Sequence, residues 1–318
     1  MPEGHSIHRL ARQFGDVFAG ERLAVSSPQG RFAGGAALLD GRVLEAARAH
    51  GKQLFLRFEG GLSLHVHLGL YGAWDFGGDA TFAGASSIGA PRRVGEREVP
   101  ASSGGAASSA ADDGGALAYA GPPAPVGAVR VRLASDHGWA DLRGAAVCAV
   151  VTQPEVDAVL ARLGPDPLAA HDGGPGSRPG AAGGGEQFAR LLTRRRTPVG
   201  RLLMDQGVVA GIGNVYRAEL LFRARLDPAL PGTHVGHGRA VALWEDAVVA
   251  LGHGVRDGRI VTTDPALWPG GPDELPAPDH AHYVYKRHGQ ACRVCGEDVR
   301  LAAEAGRKLY WCPQCQRG

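Results

Sequence analysis

The spacing of apolar residues changes character along this chain. Ile7, Leu10, Ala11, Phe14, Val17 and Phe18 recur at helical intervals, and Gly20 is placed to end the helix they predict. Period two follows. Leu54, Leu56 and Phe58 alternate with other residues, as do Leu62, Leu64, Val66 and Leu68, which sends Ser63, His65 and His67 to the opposite face. Val129, Val131 and Leu133 alternate with Arg130 and Arg132. Residues 147–151 read as a buried strand with Cys148 as an inert core thiol. These patterns predict an antiparallel β domain carrying one N-terminal helix. From Pro154, a residue suited to a first helical position, Val156, Val159, Leu160 and Leu163 return to helical spacing. Further helical patterns lie around 188–192, 199–204, 215–222 and 241–251, so this part is all-α.

Two stretches interrupt the pattern. Residues 102–116 contain only Ala, Ser, Gly and Asp, and with their Gly- and Pro-rich surroundings they predict a flexible insertion over about 77–127. A second flexible stretch is expected over about 171–185, and 264–279 reads as an acidic, Pro-rich loop.

Four of the five cysteines fall in two C-x2-C pairs, Cys292/Cys295 and Cys312/Cys315. This spacing suits a closed tetrahedral Zn2+, a structural arrangement with knuckles at the ends of a β-hairpin. Paired thiolates of this kind favour metal over disulfides and a reducing compartment. No early apolar run resembles a signal peptide, so the expected location is cytoplasmic. The net charge of +2 says little, but its distribution says more. Residues 186–225 hold eight arginines against three acids, and 286–317 hold seven basic residues against three acids. Such stretches read as phosphate-facing surfaces or as solvated helix faces.

The strongest candidate chemistry is at the start. Removal of Met1 leaves Pro2 with a free secondary amine, which condenses with an aldehyde to an iminium, an electron sink. A terminal amine titrates near ~8, against ~10.4 for lysine, so it is the readier nucleophile at neutral pH. Glu3 stands beside it as an acid or base. Gly211-Ile212-Gly213-Asn214 precedes a helix; Asn214 suits an N-cap, and the helix N-terminus suits an anion such as phosphate. His65 and His67 share a strand face without an obvious third ligand, so packing or polar roles are expected for them. Lys52, before a strand, reads on its own as solvated.

Taken together the chain resembles the formamidopyrimidine-DNA glycosylase/endonuclease VIII family of bifunctional repair enzymes. The resemblance rests on Met1-Pro2-Glu3-Gly4, Gly51-Lys52, His67-Leu68-Gly69-Leu70-Tyr71-Gly72 and Leu163-Gly164-Pro165-Asp166-Pro167-Leu168. It continues through Asp205-Gln206, Gly211-Ile212-Gly213-Asn214-Val215-Tyr216, Tyr285-x-Arg287-x-Gly289, Gly306-Arg307 and the cysteines. It implies an α+β multidomain fold. An N-terminal antiparallel β-sandwich with an N-terminal helix spans 1–152, a helix–two-turn–helix DNA-binding domain spans 153–263, and a zinc-finger β-hairpin spans 280–318. It also implies a monomer acting on double-stranded DNA with oxidised bases or abasic sites, and one structural Zn2+ on Cys292, Cys295, Cys312 and Cys315. Pro2, Glu3 and Lys52 are then catalytic. Asn214 and Arg307 bind phosphate, and Leu70 and Tyr71 fill the gap left by the extruded nucleotide.

The Leu70-Tyr71 pair is similar to the endonuclease VIII branch, with Gly69 in place of its Gln. The later segment Asp141-Leu142-Arg143-Gly144 lacks the Phe of the purine-specific branch. Oxidised pyrimidines are therefore the expected substrates. His5 replaces a common proline, and no role for His5 or His8 can be read from the sequence. Two alternatives stay open: a catalytically silent damaged-DNA-binding relative, and a glycosylase preferring oxidised purines.

Overall fold

The computed structural model describes residues 2–90, 119, 121–169 and 183–317. They form two compact units. The first comprises 1–2 and 9–159, the second 3–8 and 160–318.

The first unit is antiparallel throughout. Helix α1 (Gly4–Phe18) precedes β1 (Arg22–Ser26), α2 (Ala33–Leu39), β2 (Arg42–His50), β3 (Gln53–Phe58), β4 (Leu62–His67), β5 (Ala73–Gly78) and β6 (Ser87–Gly89). After them come β7 (Val129–Ala134), β8 (Gly138–Arg143), β9 (Val147–Thr152) and α3 (Gln153–Leu160). The strand order is β6-β5-β8-β7-β1-β2-β3-β4-β9. Between β1 and β2 the ladder narrows to two pairs, Arg22↔Val43 and Leu23↔Arg42, which divides the order into five- and four-stranded halves. Phe14 of α1 packs edge-on against Trp74 and Phe76 of β5 at 4.8 and 5.2 Å. All three rings are buried, each contributing about 1.5–3 kcal/mol.

The alternation holds on β3 and β4, yet the opposite face is covered too. His65 is buried, stacks on Phe55 at 4.7 Å and shares a 2.8 Å hydrogen bond with Gln53 Oε1. It is a packed, hydrogen-bonded side chain, as expected. Cys148 departs from expectation: β9 lies at the sheet edge, leaving the thiol half-buried, although burial still pushes it up to about 12. Within the interval 77–127, residues 87–89 form β6, paired to β5, while 91–118 and 120 lie outside the described residues, as do 170–182. Helix α2 was not foreseen, because Ala33-Gly34-Gly35-Ala36-Ala37-Leu38-Leu39 has too few large apolar residues to show a period.

The second unit is helical, with α4 (Gly184–Thr193), α5 (Val199–Leu202), α6 (Asn214–Arg223), α7 (Gly232–Val235) and α8 (His237–Asp257). Its core gathers Phe188, Leu192, Leu202, Tyr216, Leu220, Leu243, Trp244 and Leu251. Between α5 and α6 the Gln206 side chain stitches the loop, accepting from Gly211 N at 3.0 Å and donating to Ile212 O at 3.1 Å. Gly164 N bonds Gln206 O and Ala210 N bonds Pro165 O, which seats the Gly164-Pro165-Asp166 segment beside that loop. Strands β10 (Arg300–Glu304) and β11 (Arg307–Trp311) close the chain as a hairpin. Their turn residues Ala305 and Gly306 both have positive φ, the conformation that a two-residue type I′ turn requires.

Candidate functional site

Glu3, Asn214, Arg307 and the four cysteines belong to the second unit; Pro2, Lys52, Leu70 and Tyr71 belong to the first.

Glu3 is fully buried. Its Oε2 accepts from Gly213 N at 2.9 Å and Tyr216 N at 3.3 Å, and its Oε1 accepts from Val215 N at 2.8 Å. A carboxylate from the start of the chain thus occupies the N-terminus of α6, where unpaired N–H groups and the helix dipole favour negative charge. The glycines are needed for this approach. A Cβ on Gly213 would come within 2.4 Å of Glu3 Cδ, and one on Gly4 within 2.9 Å of Gly211 Cα. Gly4 N donates to Gly211 O at 2.8 Å, fastening the same junction. Two expectations are corrected here. The anion at this helix end is Glu3 itself. And Asn214 is not the N-cap: Gly213 is, without a side-chain cap, and Asn214 is the first helical residue.

The Asn214 side chain turns to the zinc hairpin. Nδ2 donates to Lys308 O at 2.9 Å, and Oδ1 accepts from Arg217 at 2.5 Å. The Tyr285 hydroxyl also bonds the Asn214 side chain. Arg307 and Lys308 are exposed on β11 next to the hairpin turn.

Pro2, peptide-bonded to Glu3, is buried. Lys52 is half-buried in the two-residue turn joining β2 to β3, where Gly51 takes φ 57°. Burial lowers the pKa of His67, and the charge of Lys52 lowers it further, so the two side chains lie near one another. Leu70 and Tyr71 sit on the turn after β4, 47% and 77% exposed. Gly69 before them has φ 67°, and a Cβ there would meet Ala146 Cβ at 2.9 Å, which accounts for glycine where the related pattern has Gln. The Gly144 backbone approaches this turn closely, since a Cβ on Gly144 would lie 2.6 Å from Tyr71 O. Asp141 to Arg143, however, are strand β8, and Arg143 pairs with Asp75.

The four Sγ atoms lie within 4.8 Å of one another, with Cys292–Cys315 at 3.9 Å and Cys295–Cys312 at 3.4 Å. Tetrahedral Zn–S bonds of about 2.3 Å imply S···S edges near ~3.8 Å, so the donor set fits Zn2+.

Several residues escaped the sequence reading. His8 Nε2 pairs with Asp166 Oδ2 at 2.8 Å, both buried, and Asp166 Oδ1 accepts from Leu168 N. His5 packs edge-on to Tyr216 at 5.5 Å, in space that Gly254 leaves open. Arg217 and Glu219 are buried charges on α6; two charges within the otherwise apolar run 215–222 were the available signal.

Three family models match. They are the formamidopyrimidine-DNA glycosylase N-terminal domain over 1–122, the H2TH domain of the same glycosylase over 175–265, and the zinc finger found in FPG and IleRS over 289–318. "Endonuclease 8 1" of Mycobacterium tuberculosis is 43% identical over 316 residues, covering 99% of this chain and 100% of that protein. A formamidopyrimidine-DNA glycosylase of Methylococcus capsulatus is 37% identical over 164 residues, 52% of this chain and 55% of that one. Among solved structures, MutM (Fpg) from Thermus thermophilus aligns with TM-score 0.66 and 25% identity over 99% of each chain. A point mutant of Lactococcus lactis Fpg bound to Fapy-dG DNA aligns with TM-score 0.68 over the whole of both chains, and at 16% identity that likeness concerns the fold alone.

Proposed function

The chain belongs to the formamidopyrimidine-DNA glycosylase/endonuclease VIII family, and on that premise we propose that it excises oxidised pyrimidines through a covalent adduct on Pro2. It is a DNA glycosylase of base excision repair with apurinic/apyrimidinic lyase activity, and its partner is DNA carrying damaged bases or abasic sites. One structural Zn2+ is held by Cys292, Cys295, Cys312 and Cys315.

The observation that carries the mechanism is the lodging of Glu3 at the start of α6, one residue from Pro2. The Pro2 nitrogen attacks C1′ of the extruded nucleoside, and Glu3 delivers a proton to O4′ as the ring opens. The base departs with the C1′–N bond pair and takes up the proton that the Pro2 nitrogen sheds, leaving an iminium. Loss of a C2′ proton then expels the 3′ phosphate, a second elimination expels the 5′ phosphate, and water releases Pro2. A carboxylate has roughly four acceptor positions. Among the described residues three bonds reach Glu3, two on Oε2 and one on Oε1, so Oε1 retains capacity for a proton in transit. Asn214 and Arg307 hold phosphate, and Lys52 holds a phosphate next to the lesion. Such contacts position the duplex without reading its sequence. The exposed Leu70-Tyr71 turn supports the wedge role, and its likeness to the endonuclease VIII pattern supports pyrimidine lesions.

Borohydride trapping tests this. Labelled duplexes carrying an abasic site, thymine glycol, 5-hydroxycytosine or 8-oxoguanine are incubated with protein whose intact mass confirms loss of Met1. An adduct that Pro2→Gly abolishes, strongest with the pyrimidine lesions, is expected. Strongest trapping on 8-oxoguanine would overturn the substrate, and no adduct on any substrate would overturn the mechanism.

A further inference from the structure

The chemistry just described has no use for Arg217, yet this arginine is among the most deeply buried groups in the protein, 1% exposed on α6. Burying a guanidinium is costly unless its donors are met, and a Met or Leu would fill the same space. Its two Nη groups are met in a particular way, whereas the equally buried Nε has no partner among the described residues. Nη1 donates to Glu304 Oε2 at 3.2 Å, and Nη2 donates to Asn214 Oδ1 at 2.5 Å and to Lys308 O at 3.2 Å. Burial lowers its pKa, Glu304 and Glu3 favour the charge, and nearby Arg307 opposes it.

The three acceptors have something in common. Glu304 and Lys308 flank the Ala305–Gly306 turn and Arg307, so Arg217 holds both sides of the hairpin tip. Asn214 begins α6 one helical turn before Arg217 and bonds the same Lys308 carbonyl through Nδ2. The amide orientation follows from chemistry: arginine only donates, so it must face Oδ1, and a carbonyl only accepts, so it must face Nδ2.

We infer that Arg217 is a positioning residue for DNA phosphate binding, locking Asn214 and the Arg307-bearing hairpin tip into a single clamp. The inference rests on the reading of Asn214 and Arg307 as phosphate binders. It deepens that reading: the clamp acts through a side chain that touches no DNA. A planar fork reaching three acceptors is something lysine cannot reproduce.

The test uses zinc-loaded full-length protein and a duplex carrying tetrahydrofuran, an uncleavable abasic analogue, with affinity measured across a salt series. Arg217→Met preserves volume and should keep its zinc. Losing charged hydrogen bonds should weaken binding roughly 10–100-fold. The log–log salt slope should become shallower by about one to two, the signature of lost phosphate contacts. Arg217→Lys should recover only part of the loss, and Glu304→Gln should show a smaller shift in the same direction. The loss on combining Arg217→Met with Arg307→Ala should fall short of the product of the two single losses, since both act on one clamp. Packing alone predicts a lowered Tm with affinity and slope unchanged, and that result overturns the inference. Should Arg217→Met fail to fold, wild-type slopes in both Arg217→Lys and Glu304→Gln overturn it equally. Asn214→Ala and Arg307→Ala run alongside: unchanged slopes there sink the phosphate reading itself, whatever Arg217 does.

Discussion

Two buried carboxylates belong to the surroundings of helix α6, Glu3 docked on its N-terminus and Glu219 projecting from it to residues 283–285. Glu3 and Glu219 are both fully buried, and both draw three backbone N–H groups. Glu219 takes Val284 and Tyr285 on Oε1 and Tyr283 on Oε2, and the Thr262 hydroxyl adds a fourth bond on Oε2. Its acceptor positions are then filled, and it pins the segment leading into the zinc hairpin. Glu3 receives three bonds among the described residues and adjoins a proline. Burial and N–H count therefore do not separate the carboxylate proposed to react from a structural one. Remaining acceptor capacity and the covalent neighbour do.

The comparison can be broken most decisively at Glu3. Glu3→Gln should lower base excision by roughly 10^2–10^4-fold while zinc content and binding to the tetrahydrofuran duplex persist. Glu219→Gln should leave trapping on a preformed abasic site measurable. Equal loss of chemistry in two folded variants would erase the distinction. Next in size, Glu219→Ala strands three N–H groups and a hydroxyl in the interior. An expected destabilisation of about 3–5 kcal/mol would be read by urea unfolding, far above that of a surface Glu→Ala control. Gly213→Ala is subtler. A Cβ there displaces the Glu3 carboxylate from its buried N–H donors, so kcat should fall about 10–100-fold and Tm should fall as well.

The smallest effect is a titration. Burial lowers the pKa of His282, while Glu219 and, less strongly, Glu3 pull it upward. A histidine whose folded pKa lies below the unfolded ~6.5 contributes stability that is complete above that value. The contribution is lost as pH falls from there through the folded pKa. NMR titration of the ring should show Glu219→Gln lowering this pKa further than Glu3→Gln does. The reverse order would mean that Glu3, not Glu219, dominates the field at His282.

Much of this was legible in advance because it is local. Periodicity gave α1, β3, β4, α6 and α8, and spacing gave the cysteine cluster. What escaped was long-range pairing. Nothing adjacent to His8 names Asp166, and no local rule sends Glu3 to the N–H groups of residues 213–216. Asn214 shows the same limit. Its residue type suits a cap, but a remote carboxylate had already met those donors, which freed its amide for the hairpin. Arg217 and Glu219 left a fainter trace, charge inside an apolar run, which says that partners exist without saying where.

The 210 residues separating Glu3 from Gly213 also set an order of events during synthesis. At roughly 5–20 residues per second, the N-terminus waits about 10–40 s after leaving the ribosome before its helix exists. Pro2 is buried once folding is complete, and an aminopeptidase needs an extended, accessible end. Removal of Met1, which the proposed chemistry requires, would therefore fall in that interval. A contact made late keeps the first residues accessible, so the nucleophile proposed at Pro2 would be made before it is enclosed.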